Sequence, residues 1–344
     1  MSEDRLLENK ENSVSSAESL LEVKDLHVAY RTMDGPARAL NGVYLNILMG
    51  EAVGLVGETG AGKTTLALTI LDLLSREVAM IPKGEIWFRG INLRDRKNRS
   101  EMRKIRGNRI SMIFQNPLTS LNPVFTVGEQ IAMVYRQHEG LNSKDAWQRA
   151  GKMLELVGIP AYRLKEYPHQ FSGGMRQRVG IASALVCNPD LLIADEPTTA
   201  LDVTIQAQVL ELMKDLQKEY SMSLMMITHN LGIVAELCDK VAVMYAGRII
   251  EFGPVEAVFK NPAHPYTVGL IGALPDIKVT KDRLTPIEGF MSNPLDLPTG
   301  CRFHPRCKSK CQEQCSEVEP PMVEVKMGHW VACYHHIQPE GGVE

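Results

Sequence analysis

No stretch of this 344-residue chain reaches the roughly 18 apolar residues in a row that a membrane-spanning helix needs. The N-terminus, Met1 to Ser19, is polar, charged and rich in Ser and Glu. Lacking an apolar core, it does not read as a secretory signal and is expected to be a disordered lead-in. Charge of one sign is missing too. Thirty-eight Lys and Arg against 41 Asp and Glu leave a net charge of −3, which gives no bulk electrostatic reason to expect nucleic acid as a partner. No internal repeat shows. Cysteine is scarce before residue 300, where Cys187 and Cys238 lie in apolar helical contexts and read as core. Common zinc ribbons use a paired C-x2-C spacing, and the chain has none. What is there is an ordinary globular composition, 44% hydrophobic and 23% charged, with length for about two domains or one large one with an appendage. A cytoplasmic protein is expected, whose seven cysteines would not form structural disulfides.

The most informative stretch is Gly57-Glu58-Thr59-Gly60-Ala61-Gly62-Lys63-Thr64-Thr65, which fits the phosphate-loop pattern G-x-x-x-x-G-K-[ST]. Glu51 to Val56 before it reads as a buried strand and Leu66 to Leu74 after it as a helix, the context the pattern requires. Glycines let backbone N–H groups wrap phosphate oxygens, and the helix start adds a positive dipole end. Lys63 would reach the β- and γ-phosphates, and the Thr64 hydroxyl would ligate magnesium. The glycine order is wrong for a dinucleotide fold.

Along the chain, Leu21 to Tyr30, Ala37 to Leu48, Ile81 to Phe88 and Arg109 to Phe114 read as strands, and Asn92 to Arg106 as charged surface. From Asn116 to about Gln170 the spacing turns helical, over Val127 to His138, Ser143 to Val157 and Ala161 to Tyr167. A helix then runs from Ser172 to about Cys187. Beyond it come strand Leu191 to Asp195, helix Thr204 to Glu219, strand Leu224 to Thr228, helix Leu231 to Leu237, and strands Val241 to Tyr245 and Arg248 to Glu251. Alternating strands and helices imply an α/β core with a largely parallel sheet. From Pro262 the chain is rich in Pro, Gly and Cys and is expected to be a separate appendage.

Asp195 and Glu196 end an apolar strand, where α/β sheets bind ligands. Asp195 suits a magnesium site and Glu196 a general base. Ser172-Gly173-Gly174 at a helix start serves equally as a cap or as an anion site. Gln115 and His229 each follow a buried strand, where such a residue is structural or part of a site.

Together these pieces resemble the ATP-binding subunit of an ABC transporter over about residues 20–260. Gly57 to Thr64 matches Walker A, Leu191 to Asp195 with Glu196 matches Walker B, and Ser172-Gly-Gly-Met-Arg-Gln177 the signature, with Phe171 and Met175 departing from L-S-G-G-Q. Gln115 matches the Q-loop, Ala200-Leu201-Asp202 the D-loop, His229 the switch histidine and Tyr30 the residue that stacks on adenine. The resemblance implies a P-loop core with an antiparallel β subdomain and a helical insert at about 116–175. It implies two such domains packed head to tail, so that Ser172, Gly173, Gly174 and Gln177 serve the partner's nucleotide. Gln115 would also touch magnesium, with Thr64 and Asp195, and His229 would hold the γ-phosphate.

The tail, 261–344, narrows the family. His264-Pro265-Tyr266-Thr267 followed by Leu270 resembles the His-Pro-Tyr segment of dipeptide/oligopeptide importer ATPases, also shared by nickel importers. Pro298-Thr-Gly-Cys301-Arg-Phe-His-Pro-Arg-Cys307, Cys315 before Glu319-Pro320-Pro321, and Gly328-His329-Trp330-Val331-Ala332-Cys333 resemble that family's C-terminal motif. The resemblance implies uptake of peptides at the cytoplasmic face of the cell membrane. The expected partners are a second ATPase subunit (a paralogue or the same chain), two permeases and an extracytoplasmic binding protein. Soluble ABC proteins of DNA repair or translation, and a nucleotide-binding redox regulator, are the alternatives. The resemblance also implies a [4Fe-4S] cluster on Cys301, Cys307, Cys315 and Cys333, which suits four thiolates, with zinc as the alternative. Cys311 competes with Cys315 for the third position; Cys315 is preferred for its distance to the Pro-Pro pair.

Overall fold

The computed structural model describes residues 19–116, 120–199, 201–273, 287–309 and 313–336. Nearly all of the expected lead-in, together with Ala200 and Cys311, lies outside the described residues.

Strands β1 (Ser19–Thr32) and β2 (Gly35–Leu48) form a long antiparallel hairpin. With β4 (Ala79–Phe88) and β5 (Ile91–Asn92) they make a four-stranded sheet in the order β2-β1-β4-β5. Between the two halves of this sheet run β3 (Ala52–Val56) and helix α1 (Lys63–Ile70). The helix starts earlier than expected because Lys63, Thr64 and Thr65 of the phosphate loop are its first turn. It also stops earlier, since Asp72 turns to a positive φ of 50°. The segment expected to be plain charged surface contains α2 (Arg99–Ile105), which buries Met102 and Ile105.

The second sheet carries the site. Strands β6 (Ile110–Ile113), β7 (Leu191–Asp195), β8 (Ser223–Ile227) and β9 (Lys240–Tyr245) are parallel to β3, with β6-β7-β8-β3-β9 adjacent in that order. Every residue of β3, β7 and β8 is buried, as strands covered on both faces should be.

Helices α3 (Val127–Glu139), α4 (Ser143–Leu156) and α5 (Gly173–Leu185) pack between β6 and β7 in sequence. Thr126 and Asn142 cap the first two by accepting N–H groups of Glu129 and Asp145, and Gly140 closes α3 in the left-handed conformation. Ala161 to Lys165 is a 3-10 turn rather than an α-helix, fitted between Pro160 and Pro168. Helices α6 (Val203–Tyr220) and α7 (Leu231–Leu237) follow β7 and β8.

The C-terminal segment is not separate from this core. After β10 (Arg248–Pro254), α8 (Val255–Lys260) and α9 (Pro265–Gly272), the short α10 (Gln314–Glu317) precedes strands β11 (Val323–Lys326) and β12 (His329–Val331). β12 pairs with β10 through Glu251 with Val331 and Phe252 with Trp330, so among the described residues the core sheet runs to eight strands ending at β11. Tyr245 of β9 packs on Tyr266 and Phe303 from the tail, with ring centroids 4.8 and 5.3 Å away. Under them Glu251, wholly buried, accepts hydrogen bonds from Ala263 N–H (2.7 Å), His264 N–H (2.9 Å) and the His329 ring (2.8 Å).

Candidate functional site

The loop between β3 and α1 has the shape its glycines permit. At Gly57, φ is 153° and a Cβ would lie 2.2 Å from the Met244 carbonyl oxygen; at Gly62, φ is 106° and it would lie 2.6 Å from that of Ala39. Neither position accepts a side chain. Thr59, Gly60 and Ala61 complete the turn, and Ala61 N–H donates to the Glu58 carbonyl at 3.1 Å. Lys63 is almost buried, and its Nζ donates to the carbonyls of Gly57 (2.7 Å) and Glu58 (3.0 Å). Burial pushes its ammonium below the ordinary value, against the attraction of Glu196, Asp195 and Glu58. The Tyr30 hydroxyl lies 3.1 Å from that of Thr65, which sets the aromatic ring of β1 beside the loop.

Asp195, at the end of β7, is buried, and its carboxyl is raised by that burial while a hydrogen bond from Thr64 lowers it. Thr64 and Asp195 thus present two oxygens to one point beside Lys63, a donor set that fits magnesium.

Gln115, Glu196 and His229 follow β6, β7 and β8, three neighbouring parallel strands, and so emerge side by side. One Glu196 carboxylate oxygen accepts from Gln115 Nε2 (2.8 Å) and the Thr199 hydroxyl (2.9 Å); the other meets His229 Nδ1 at 3.1 Å. Burial raises this carboxyl, but the bonds from His229, Thr199 and Gln115 outweigh it and hold the acid below its usual value. Glu196 also has a φ of 46°, held by its N–H donating to the Ile227 carbonyl at 2.8 Å. Such backbone strain is typical of residues that do chemistry. Thr199 was missed in the sequence, although a hydroxyl three residues after the acid was visible there.

The signature residues divide. Ser172 caps α5 by accepting Met175 N–H at 3.3 Å, and it and Gly173 are exposed at an open helix start, with Gly174 beside them. Gln177 departs from the expectation. It is buried and lines the apolar groove against β6, on the face of α5 that carries Ile181 and Leu185. Asp202 caps α6, accepting Ile205 N–H at 2.9 Å.

Two further residues were missed. Tyr266 and Arg306, from the C-terminal segment, both bind Glu58 of the phosphate loop. The Tyr266 hydroxyl accepts Glu58 N–H at 3.0 Å, and the Arg306 guanidinium donates to both Glu58 carboxylate oxygens at 2.8 and 3.1 Å. They lie more than 200 residues from the loop, so no local pattern could have pointed to them.

Cys301, Cys307, Cys315 and Cys333 line one small cavity, together with His264, His304 and His335. The Cys301 N–H donates to the Cys315 carbonyl at 2.9 Å, tying the Cys301 loop to α10. Among the described residues, however, no group of three or more His, Cys, Asp or Glu forms a ready metal-ion site. The four thiols are therefore not arranged as a ready ligand set for the expected iron–sulfur centre among the described residues.

Comparison with known proteins gives the family. Residues 40–199 match the ABC transporter family, and residues 250–315 match the oligopeptide/dipeptide transporter C-terminal region. The oligopeptide transport ATP-binding protein AppD of Bacillus subtilis is 47% identical over 95% of this chain and 99% of its own. The dipeptide transport ATP-binding protein DppD of the same organism is 46% identical over 92% of this chain and 95% of its own. Among solved structures, the dimeric ATP-binding cassette MJ0796 bound to ADP and phosphate aligns with a TM-score of 0.61 at 27% identity, over 69% of this chain and 99% of that one. The chain thus belongs to the ABC transporter family of ATP-hydrolysing subunits, in the branch that carries an oligopeptide/dipeptide transporter C-terminal region.

Proposed function

We propose that the chain is the ATP-hydrolysing motor of a peptide importer, working at the cytoplasmic face of the membrane with a second ATPase subunit, two permeases and an extracytoplasmic binding protein. The carrying observation is the meeting of Gln115, Thr199 and His229 on the Glu196 carboxylate beside Lys63, Thr64 and Asp195. The names of the relatives support the peptide substrate over nickel.

In this reading the loop N–H groups and Lys63 bind the phosphates, Lys63 leaving the Gly57 and Glu58 carbonyls to do so. Thr64 and Asp195 would hold magnesium, with Gln115 reaching it, and that ion supplies neutralisation of phosphate charge. Glu196, ionised and fixed by three donors, takes the proton of the attacking water, and His229 steadies the γ-phosphate. Hydrolysis needs positioning and charge neutralisation more than covalent help. Ser172, Gly173 and Gly174 cap the nucleotide of the partner subunit, which their exposed helix start supports. Beside Gln115 lies an apolar groove of about 490 Å³, lined by Leu71, Met112, Phe114, Leu121, Phe125 and Met133. It supports a permease helix seated next to the residue that senses the nucleotide.

The four tail thiols are the donors a [4Fe-4S] cluster takes, and they already share a cavity. That cavity has room for about one water, so holding a cluster would require the thiols to move apart. Anaerobically purified protein should be brown, with about four irons per chain. Colourless protein holding one zinc would refute the cluster.

The motor reading is tested by isolating the chain from membranes and following peptide uptake in cells. Permeases should copurify, and Lys63→Ala should abolish both ATP binding and uptake. A wild-type chain that copurifies with no membrane protein, or that drives uptake of nickel rather than peptide, would overturn it. In a mixed dimer, Lys63→Ala in one subunit and Gly174→Asp in the other should spoil a single site; two spoiled sites would place the signature in cis.

A further inference from the structure

Every polar atom of Glu58 in the phosphate loop is engaged, and the tail supplies half of the partners. Its carbonyl accepts from Ala61 N–H and from Lys63 Nζ, inside the loop. Its N–H and its carboxylate go outward, to Tyr266 and Arg306. Arg306 is built for this task. Its side chain is 7% exposed, against 30% for that of Glu58. The guanidinium lies 5.8 and 5.9 Å from the ring centroids of Tyr245 and Phe303. Its remaining donors go to the carbonyls of Glu288 (2.9 Å) and Ile287 (3.2 Å) and to the Tyr245 hydroxyl (3.4 Å). A planar fork with all its donors satisfied and two aromatic rings beside it has one orientation, and that orientation grips both oxygens of Glu58.

The loop conformation that binds phosphate is costly to hold, since it gathers backbone N–H groups round a point where like dipoles converge. Glu58 is its second residue, and Lys63 rests on its carbonyl until phosphate takes the lysine over. We propose that Arg306 is a positioning residue for ATP binding: with Tyr266 it clamps Glu58 from behind, so the C-terminal segment sets the phosphate loop's affinity for nucleotide. Arg306 touches no substrate. It acts through Glu58, and it stands next to Cys307 in the loop that lines the thiol cavity. Any change that shifts that loop reaches the ATP site through one guanidinium.

The inference rests on the ATPase reading, and the two fail separately. Wild-type protein, Arg306→Gln, Arg306→Lys and Glu58→Gln are compared in steady-state ATPase assays across ATP concentrations. A clamp predicts that Arg306→Gln raises the KM for ATP about tenfold, the size expected for losing one charge-assisted pair, with kcat within about twofold. Arg306→Lys should recover part of the loss. Glu58→Gln should match Arg306→Gln, and the double variant should be no worse than either, because both break the same pair. A merely structural arginine would lower the active fraction, and so kcat, without moving KM. An unchanged KM in Arg306→Gln, or losses that multiply in the double variant, would overturn the proposal. If Arg306→Gln does not fold, Glu58→Gln reads the same pair from the loop side. Wild-type protein that fails to bind ATP would sink the ATPase reading instead.

Discussion

Replacing Glu196 by Gln isolates its charge from its shape. The carboxylate has one oxygen facing two donors, Gln115 Nε2 and the Thr199 hydroxyl, and the other facing His229 Nδ1. A glutamine can keep its amide oxygen toward the first two and turn its NH₂ toward Nδ1 of a histidine protonated on Nε2. All three contacts survive, so the fold and ATP binding should be unchanged. What disappears is the proton acceptor. General-base catalysis is worth about 10²–10⁴-fold, which is about 3–5 kcal/mol of barrier. Single-turnover hydrolysis of radiolabelled ATP should therefore slow by that factor while ATP titration gives the wild-type Kd. Because the nucleotide persists, size-exclusion chromatography with ATP should show a longer-lived dimer. A single-turnover rate within tenfold of wild type would mean that some other group takes the proton.

Other substitutions report on the scaffold. Glu251→Ala should leave two backbone N–H groups and the His329 ring buried without their partner, at a cost of about 3–5 kcal/mol. A wild-type melting temperature and an intact tail under limited proteolysis would count against that. Gly57→Ala should abolish ATP binding even in protein that folds, because its methyl would meet the Met244 carbonyl; measurable binding by titration would refute the clash. Burial pushes the thiols of Cys187 up to about 11 and Cys238 up to about 12, so both stay protonated at pH 8. Iodoacetamide should leave them unlabelled in folded protein and label them after denaturation, as mass spectrometry will show.

The parallel core was legible because strands covered on both faces are unbroken apolar runs, and Leu191 to Asp195 is one. Gln115, Glu196 and His229 could be marked individually, as polar residues just past such runs. Their meeting could not be read, because it depends on which strands are neighbours. Gln177 was misplaced by adjacency to a motif. Its helical spacing of four and eight from Ile181 and Leu185 indicates a buried face. The tail was misread for a different reason. β11 and β12 are four and three residues long and carry no apolar run, so their place in the sheet comes from pairing alone.

That pairing has a consequence for how the chain can be cut. An ATPase core ending near residue 260 would leave β10 with a bare row of N–H and C=O groups, and with Glu251 stripped of His329 and His264. Exposed strand edges of that kind recruit other chains. Among the described residues the sheet instead ends in β11, a short strand whose residues Glu324 and Lys326 are charged and exposed, which is a poor template for a further strand. The cysteine-bearing tail is thus a built-in guard against strand-edge pairing with other chains, and a chain cut short of it is expected to aggregate before it could reveal anything about ATP.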